Sequence, residues 1–258
     1  MLHPNENAAA CSPGAPGPHA NENAAGLSPG ALGPYPSENA AAFSLGPLGR
    51  MAPPMPDVAA AIFGQAAAKA EQYARQLAGP GVDRGLIGPN EIPRIWERHL
   101  LNCAAVANLV PSSCSLADLG SGAGLPGIVL ALLLPGASVT LVEPMARRAA
   151  FLEECVIELG LDNVRVRRAR AEELAGTLVV DVVTARAVAP LDRLAALAVP
   201  LLRPGGTVLA IKGAKAAQEV AAARGALARL GVQEVEVLLT GSGKVDPAAT
   251  VVRLTVGP

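Results

Sequence analysis

Aromatic residues are scarce: one Trp, two Tyr and three Phe, 2% of 258 residues. That argues against modules that grip single-stranded nucleic acid by stacking bases on aromatic platforms. Neither sign of charge is in excess, with 21 basic residues against 22 acidic and a net charge of −1, so no global field draws a polyanion. A nucleic-acid partner would have to be met by a local basic patch. Only four of the basic residues are Lys, and the chain is rich in Ala, Gly and Pro, as GC-biased codon usage gives, so a single arginine carries less weight. The four cysteines, Cys11, Cys103, Cys114 and Cys155, lack the paired spacing of a zinc site, and a chain of this length needs no disulfide staples; buried free thiols are expected, and no metal. The longest apolar run, Ile128 to Leu134, is far too short to cross a membrane, and no basic segment followed by an apolar one opens the chain. The expectation is a cytoplasmic protein without membrane contact.

Hydrophobic residues are plentiful at 51%, enough for the core of one sizeable domain or two small ones. They are unevenly placed. Residues 4–51 carry a repeat of period 16, with Asn5-Glu6-Asn7-Ala8-Ala9, Asn21-Glu22-Asn23-Ala24-Ala25 and Ser37-Glu38-Asn39-Ala40-Ala41 at its heads. Each unit is broken by Pro and Gly and offers almost nothing to bury, so it cannot offset its ordering entropy, and residues 1–56 are expected to be a disordered low-complexity tail. Met51 and Met55 stand where the repeat stops. One hypothesis is that translation starts there; N-terminal mass spectrometry finding peptides upstream of Met51 would refute it.

Residues 57–114 read as a helical lead-in. Ile62, Phe63, Ala66, Ala70, Tyr73 and Leu77 form one apolar face, ended by Gly79-Pro80-Gly81, and Ile95, Trp96, His99, Leu100, Cys103 and Val106 form a second stripe over about 92–110. From residue 115 to 258 the pattern alternates. Strands are expected at about 116–119, 138–143, 164–168, 179–184, 207–212, 234–239 and 250–256, with helices at about 124–134, 145–159, 190–201 and 214–229. This is the pattern of an α/β fold with a doubly wound, seven-stranded Rossmann-like sheet, parallel except where the short connection 240–249 allows the last two strands to pair antiparallel.

The most informative stretch joins the first strand to the first helix of that sheet: Asp118-Leu-Gly120-Ser-Gly122-Ala-Gly124-Leu125-Pro-Gly127. Glycines there permit positive φ and close approach of a ligand to backbone N–H groups at a helix start. Two cofactor classes fit. Gly122-x-Gly124-x-x-Gly127 satisfies the dinucleotide pattern, with Glu143 where a ribose-binding acid would sit. Asp118, expected to face the ligand, would repel a pyrophosphate and attract the ammonium and sulfonium of S-adenosyl-L-methionine, which favours the methyl donor.

These residues also carry a family resemblance. Asp118 through Ile128, Leu141-Val-Glu-Pro144, Arg147-Arg148 with Phe151-Leu152, Arg170-Ala-Glu-Glu173, Thr184-Ala-Arg-Ala187, Leu202-Arg-Pro-Gly-Gly206 and Ile211-Lys-Gly213 follow one another as in the glucose-inhibited division protein B family. Arg84-Gly-Leu-Ile-Gly-Pro89 and Arg98-His-Leu-Leu-Asn102 extend the likeness into the lead-in, so that it covers roughly Asp57 to the C-terminus. The family is the bacterial 16S rRNA guanine-N7 methyltransferase. The resemblance implies cofactor contacts at Gly120, Leu125, Ala171, Glu172 and Arg186, beside Asp118, Gly122, Gly124 and Glu143 from the loop reading, and a partner in 16S rRNA or the small ribosomal subunit. Asp118, Glu143, Glu172 and Arg186 are all expected at carboxyl ends of strands, where open sheets bind ligands. Glu143 would accept the ribose hydroxyls. Arg186 would face the donor's carboxylate or an RNA phosphate, the alternative being a structural salt bridge.

The chemistry so implied explains an absence. Guanine N7 has an in-plane lone pair and attacks a methyl group without losing a proton, so no dedicated catalytic residue is expected and catalysis is positional. A cytosine-C5 enzyme would need a thiolate, and an adenine-N6 enzyme an Asn/Asp-Pro-Pro-aromatic turn where Thr184-Ala-Arg-Ala187 stands. Among the basic residues, Arg98, His99 and Lys212 are the candidates for RNA, with a packed core histidine as the alternative for His99. Arg165 and Arg167 alternate with Val164 and Val166 and read as a solvated strand face. An NAD-dependent oxidoreductase, a small-molecule methyltransferase and a ribosome-binding protein that holds the donor without transfer remain open at this point.

Overall fold

The computed structural model describes residues 51–241, 243, 245 and 248–258; the repeat tail, with the disorder expected of it, and Cys11 lie outside the described residues. Seven strands form one sheet: β1 (Ser115–Leu119), β2 (Ser138–Val142), β3 (Val164–Arg167), β4 (Val180–Arg186), β5 (Leu202–Lys212), β6 (Val232–Thr240) and β7 (Ala249–Val256). Their order is β3-β2-β1-β4-β5-β7-β6. The first five run parallel, and β7 lies antiparallel between β5 and β6. The order reverses between β1 and β4, and ligands bind at such a switch point because the loops there diverge to opposite faces. β5 begins five residues earlier than the periodicity predicts, because Leu202 still pairs with Val180 across a register shift before regular pairing resumes at Val182 and Thr207.

The helices are α1 (Asp57–Phe63), α2 (Ala67–Gln76), α3 (Asn102–Ala104), α4 (Gly127–Leu133), α5 (Ala146–Glu158), α6 (Leu191–Ala198) and α7 (Ala216–Arg229). The lead-in is less regular than its apolar stripes predict. Gly79-Pro80-Gly81 does not end the first helix: the chain widens into a π turn over Leu77–Gly81 and continues helically through Asp83. A wider turn accommodates Pro80, which in α geometry would lack its hydrogen bond and press on the carbonyl four residues back. The second expected helix is likewise split, into 3-10 Pro89–Arg94 around Pro93, π-helical Ile95–Leu101 and the short α3.

Each sheet face has its own core. The lead-in, α4 and α5 pack on one face, where Tyr73, Leu77, Ile95, Leu100, Ile128 and Phe151 are fully buried. On the other face α6 and α7 bury Leu191, Leu194 and Leu227 against Val183, Val208 and Leu254. Alternate residues of β1 divide between them: Leu116 faces the first core, Ala117 and Leu119 the second. Cys103 and Cys155 are buried free thiols as expected, whereas Cys114 is only half-buried. No helix among the described residues is long and apolar enough to cross a membrane.

Candidate functional site

At the carboxyl ends of β1, β2, β4 and β5 lies a cleft of about 1460 Å³, floored by the glycine loop and walled by Glu91, Arg98, His99, Arg148, Arg186 and Lys212. Pockets for drug-sized ligands measure roughly 300–1,000 Å³, so the cleft has room for a nucleoside cofactor and for part of a second molecule.

The floor is built from inside. Asp118 is fully buried and does not line the cleft. Its Oδ2 accepts the N–H of Gly127 at 3.1 Å and its Oδ1 the hydroxyl of Thr184, its register partner on β4, at 3.2 Å. The expectation that Asp118 faces a cationic ligand is therefore corrected: the carboxyl group ties β1 to β4 and to the start of α4. Burial pushes it up to about 7, against the hydrogen bond from Gly127. Gly127 is a glycine because of this packing, since a Cβ would lie 2.3 Å from Leu141 Cδ2 and 2.8 Å from Asp118 Oδ2. Gly124 also serves the interior, its ideal Cβ meeting Ile128 Cδ1 at 2.5 Å and the Tyr73 hydroxyl at 2.8 Å.

Gly120, Gly122 and Leu125 do line the cleft. Gly120 (φ +64°) lies under Val188, and Gly122 (φ +57°) leaves space, with only the Gly120 carbonyl 3.7 Å from where a Cβ would stand. Glu143 also lines the cleft, almost wholly buried. Its two oxygens accept the N–H groups of Gly122 and Met145, each at 3.0 Å, which fixes the carboxylate against the loop and leaves each oxygen lone pairs for a diol. Sequence reasoning missed Tyr73 here. Fully buried on α2, it donates its hydroxyl to the Ala123 carbonyl at 2.6 Å and so anchors the loop to the lead-in. A tyrosine on an apolar helical stripe gave no sign of that partner.

The wall comes from the lead-in and from the turn after β4. Arg186 donates to the His99 ring Nδ1 at 3.2 Å, and His99 Nε2 lies 3.1 Å from Glu91 Oε2. Because a guanidinium can only donate, Nδ1 must be the acceptor, and Nε2–H donates to Glu91. Burial, then the Arg186 charge, lower His99 to about 4, consistent with a neutral ring. Glu91 also pairs with Arg98 at 3.5 Å. His99 is therefore buried and hydrogen-bonded, as the packed-histidine reading expects, and it also lines the cleft. Ala187, next to Arg186, has a φ of +56°, the one non-glycine residue in the left-handed region among the described residues. Lys212 reaches the cleft with its charge matched, its ammonium donating to the Ala189 carbonyl and pairing with Glu219, each at 2.8 Å. Ala171 and Glu172 sit in a 3-10 turn after β3, outside the residues that line the cleft.

Two observations fit a nucleoside-type methyl donor to this cleft. The space that Gly122 leaves open is one. The other is Arg148, which lines the cleft while its buried Nε has no acceptor among the described residues, so its guanidinium is not committed to a protein partner. In the sequence Arg148 reads as part of the Arg147-Arg148 motif of the family resemblance and as one of several basic residues, with nothing to single it out as a cofactor contact.

The comparisons with known proteins bear on the same residues. The family described as GidB, rRNA small subunit methyltransferase G, matches residues 66–245, which span loop, cleft and sheet. The chain belongs to that family. A ribosomal RNA small subunit methyltransferase G from Thermobifida fusca is 58% identical over 200 residues, covering 78% of this chain and 84% of the relative. Its namesake from Streptomyces coelicolor is 55% identical over 206 residues, covering 80% and 86%. Among solved structures, a SAM-dependent O-methyltransferase from Thermotoga maritima superposes with a TM-score of 0.50 at 18% identity, over 66% of this chain and 71% of that one, a likeness of fold. Membership in the GidB family removes the dinucleotide reading of the glycine loop.

Proposed function

We propose that this chain transfers a methyl group from S-adenosyl-L-methionine to N7 of a guanine in 16S rRNA, acting in the cytoplasm on the RNA or on the small subunit. When bound, the cofactor supplies an electrophilic methyl group on a sulfonium centre. Gly120, Gly122 and Leu125 would hold it against the floor, Glu143 would take the ribose hydroxyls, and Arg186 or Arg148 would take its carboxylate. Ala171 and Glu172 are retained as contacts on the resemblance alone.

The observation that carries the reading is the state of the acids and bases around the cleft. His99 has both ring nitrogens engaged, Glu91 is shared between His99 and Arg98, Glu143 is held by two backbone N–H groups, and Lys212 is matched by Glu219. Cys103 is buried and raised to about 11 by that burial, so it holds its proton. None of these is poised to remove a proton or attack a base, which suits a nucleophile that needs neither. What the residues do is exclude water and fix two partners in line, a source of rate that needs no titrating group.

Tritiated methyl transfer to 16S rRNA, naked and within small subunits, followed by nucleoside analysis, tests this. N7-methylguanosine is expected. Any other methylated nucleoside refutes the assignment.

A further inference from the structure

The sheet face that carries α6 and α7 is left open at one end. β1, β2 and β4 each lead to the next parallel strand through an α-helix, but β3 leads to β4 through residues 168–179, whose one helical turn is the 3-10 Ala171–Leu174. β3 is also the edge of the sheet. Val164 and Val166 turn to the core shared with α5, so Arg165 and Arg167 point out on the open side, where with Thr140 and Leu178 they line a trough of about 450 Å³. Arg168 and Arg170 follow directly, and all four arginines are exposed.

Several surface arginines are matched and others, such as Arg94, Arg193, Arg224 and Arg229, stand without an ion pair to a described residue, but four unmatched within six residues occur only here among the described residues. Arg75, Arg84, Arg203 and Arg253 each pair with an acid, Glu71, Glu154, Asp181 and Glu236. Arg165, Arg167, Arg168 and Arg170 form no ion pair with a described residue; the neighbouring Glu173 carboxylate accepts the Arg170 backbone N–H instead. In a chain of net charge −1 this is a local positive field, free to meet a polyanion. It adjoins the cleft, because the Arg167 carbonyl accepts the backbone N–H of Glu143 at 3.1 Å. Charges on an edge strand also deter strand-to-strand association, but that task does not call for four unpaired arginines beside an active site.

We propose that the uncovered β3 face is a second contact surface for the rRNA sugar–phosphate backbone, outside the cleft, with Arg165, Arg167 and Arg168 as its phosphate ligands. The proposal rests on the rRNA reading of the cleft. The trough of about 450 Å³ is lined by two arginines and a threonine and by no aromatic side chain on which a base could stack, so it suits contact with a phosphate backbone. It supplies the local basic patch that the overall charge balance makes necessary for any RNA partner.

The test compares the full-length double variant Arg165→Gln/Arg167→Gln with Arg224→Gln/Arg229→Gln, an equal charge change on α7, which packs against β6 and β7 at the far end of the sheet. Affinity for deproteinised 16S rRNA is measured as a function of salt, with cofactor affinity and thermal unfolding as controls. For the β3 variant, affinity should fall roughly tenfold near 0.1 M salt and the log–log salt slope should become shallower by about 1.5, as loss of two phosphate contacts requires. Cofactor affinity and melting temperature should not move, and KM for RNA should rise at unchanged kcat. Affinity and slope equal to those of the α7 control would overturn the proposal while leaving the methyltransferase reading intact, and self-association of the β3 variant with unaltered RNA affinity would overturn it in favour of edge protection. Failure of the wild-type protein to methylate or bind the RNA would instead refute the cleft reading, and this surface with it.

Discussion

The floor and the wall of the cleft are held by different physics. The floor is buried and its polar groups are satisfied internally: Asp118, Glu143 and Tyr73 each hold backbone of the glycine loop or its helix start. The wall is a half-exposed relay, Arg186 to His99 to Glu91 to Arg98, set on a π-helical turn and on the left-handed Ala187. Changes to the floor should cost folding before function, whereas changes to the wall should cost function while barely touching stability. A left-handed Ala stores strain of order 1–3 kcal/mol, a burden tolerated where surrounding contacts over-determine the turn.

The largest effect should come from Gly127→Ala. Its Cβ would drive into Leu141 and the Asp118 carboxyl, and an overpacked core of this kind loses about 1–3 kcal/mol or more. Chemical denaturation should show the loss. Gly122→Ala sharpens the contrast within the same loop. It has space for the methyl group but a φ of +57°, so it should lose only about 1 kcal/mol while raising KM for the cofactor, because its Cβ occupies the cleft. Equal stability losses in the two variants would mean that the loop does not divide into packing and ligand glycines.

Tyr73→Phe should come next. It leaves the Ala123 carbonyl without a donor in a dry site, which costs about 1–3 kcal/mol, and it frees the loop from the lead-in. Calorimetry should report weaker cofactor binding with kcat less affected. Unchanged cofactor affinity would assign the hydroxyl to folding alone.

The division between floor and wall also explains what the sequence made legible. The sheet, its seven strands and its antiparallel end followed from short apolar runs alternating with helical stretches and from connection lengths, because central strands such as β1 and β4 are buried on both faces and must be apolar almost throughout. The loop was legible as a candidate cofactor site, and the structure places its Gly120, Gly122 and Leu125 on the cleft, since glycines at that spacing between strand and helix have few other uses. Asp118 was misread. A carboxylate at a strand end faces either ligand or interior, and only the register that pairs it with Thr184 and the close approach of Gly127 decide for the interior. Glu91 was passed over, and Arg148 was read only as part of a basic motif, because sequence neighbours cannot say which arginine lacks an acceptor or which acid meets a histidine eight residues on. The π turns were hidden because apolar stripes spaced for an α-helix survive a single widened turn.

A smaller effect concerns pH. Asp118 titrates higher in the folded chain, about 7, than its ordinary 3.8, so between those values the folded state holds more protons than the unfolded one. Its contribution to stability is therefore present at low pH and lost as pH rises toward 7. His99 acts in the opposite sense: lowered to about 4 from 6.5, it costs stability as pH falls through that window. Between about pH 4 and 6.5 the two groups oppose each other in the wild type, so Asp118→Asn should leave a urea-unfolding stability that rises with pH across that window, as His99 alone requires, and does not fall from there to pH 7. A variant whose pH profile between 4 and 7 matched that of the wild type would exclude Asp118 as a source.

The clearest test of the wall is at Glu91, where the lost acceptor of the buried His99 adds to a weak surface ion pair. The pair with Arg98 is exposed enough that its removal should cost no more than about 1 kcal/mol. Glu91→Ala nevertheless removes the acceptor that holds Nε2–H of His99, and with it the orientation of Nδ1 toward Arg186. Methyl transfer should fall by roughly tenfold or more, the scale on which misplaced positioning groups act. Glu91→Gln keeps a carbonyl oxygen for Nε2–H while discarding the charge, and it should recover most of the activity. If Gln fails as badly as Ala, the wall works through the negative charge of Glu91 on Arg98 and Arg186 rather than through the geometry of the histidine.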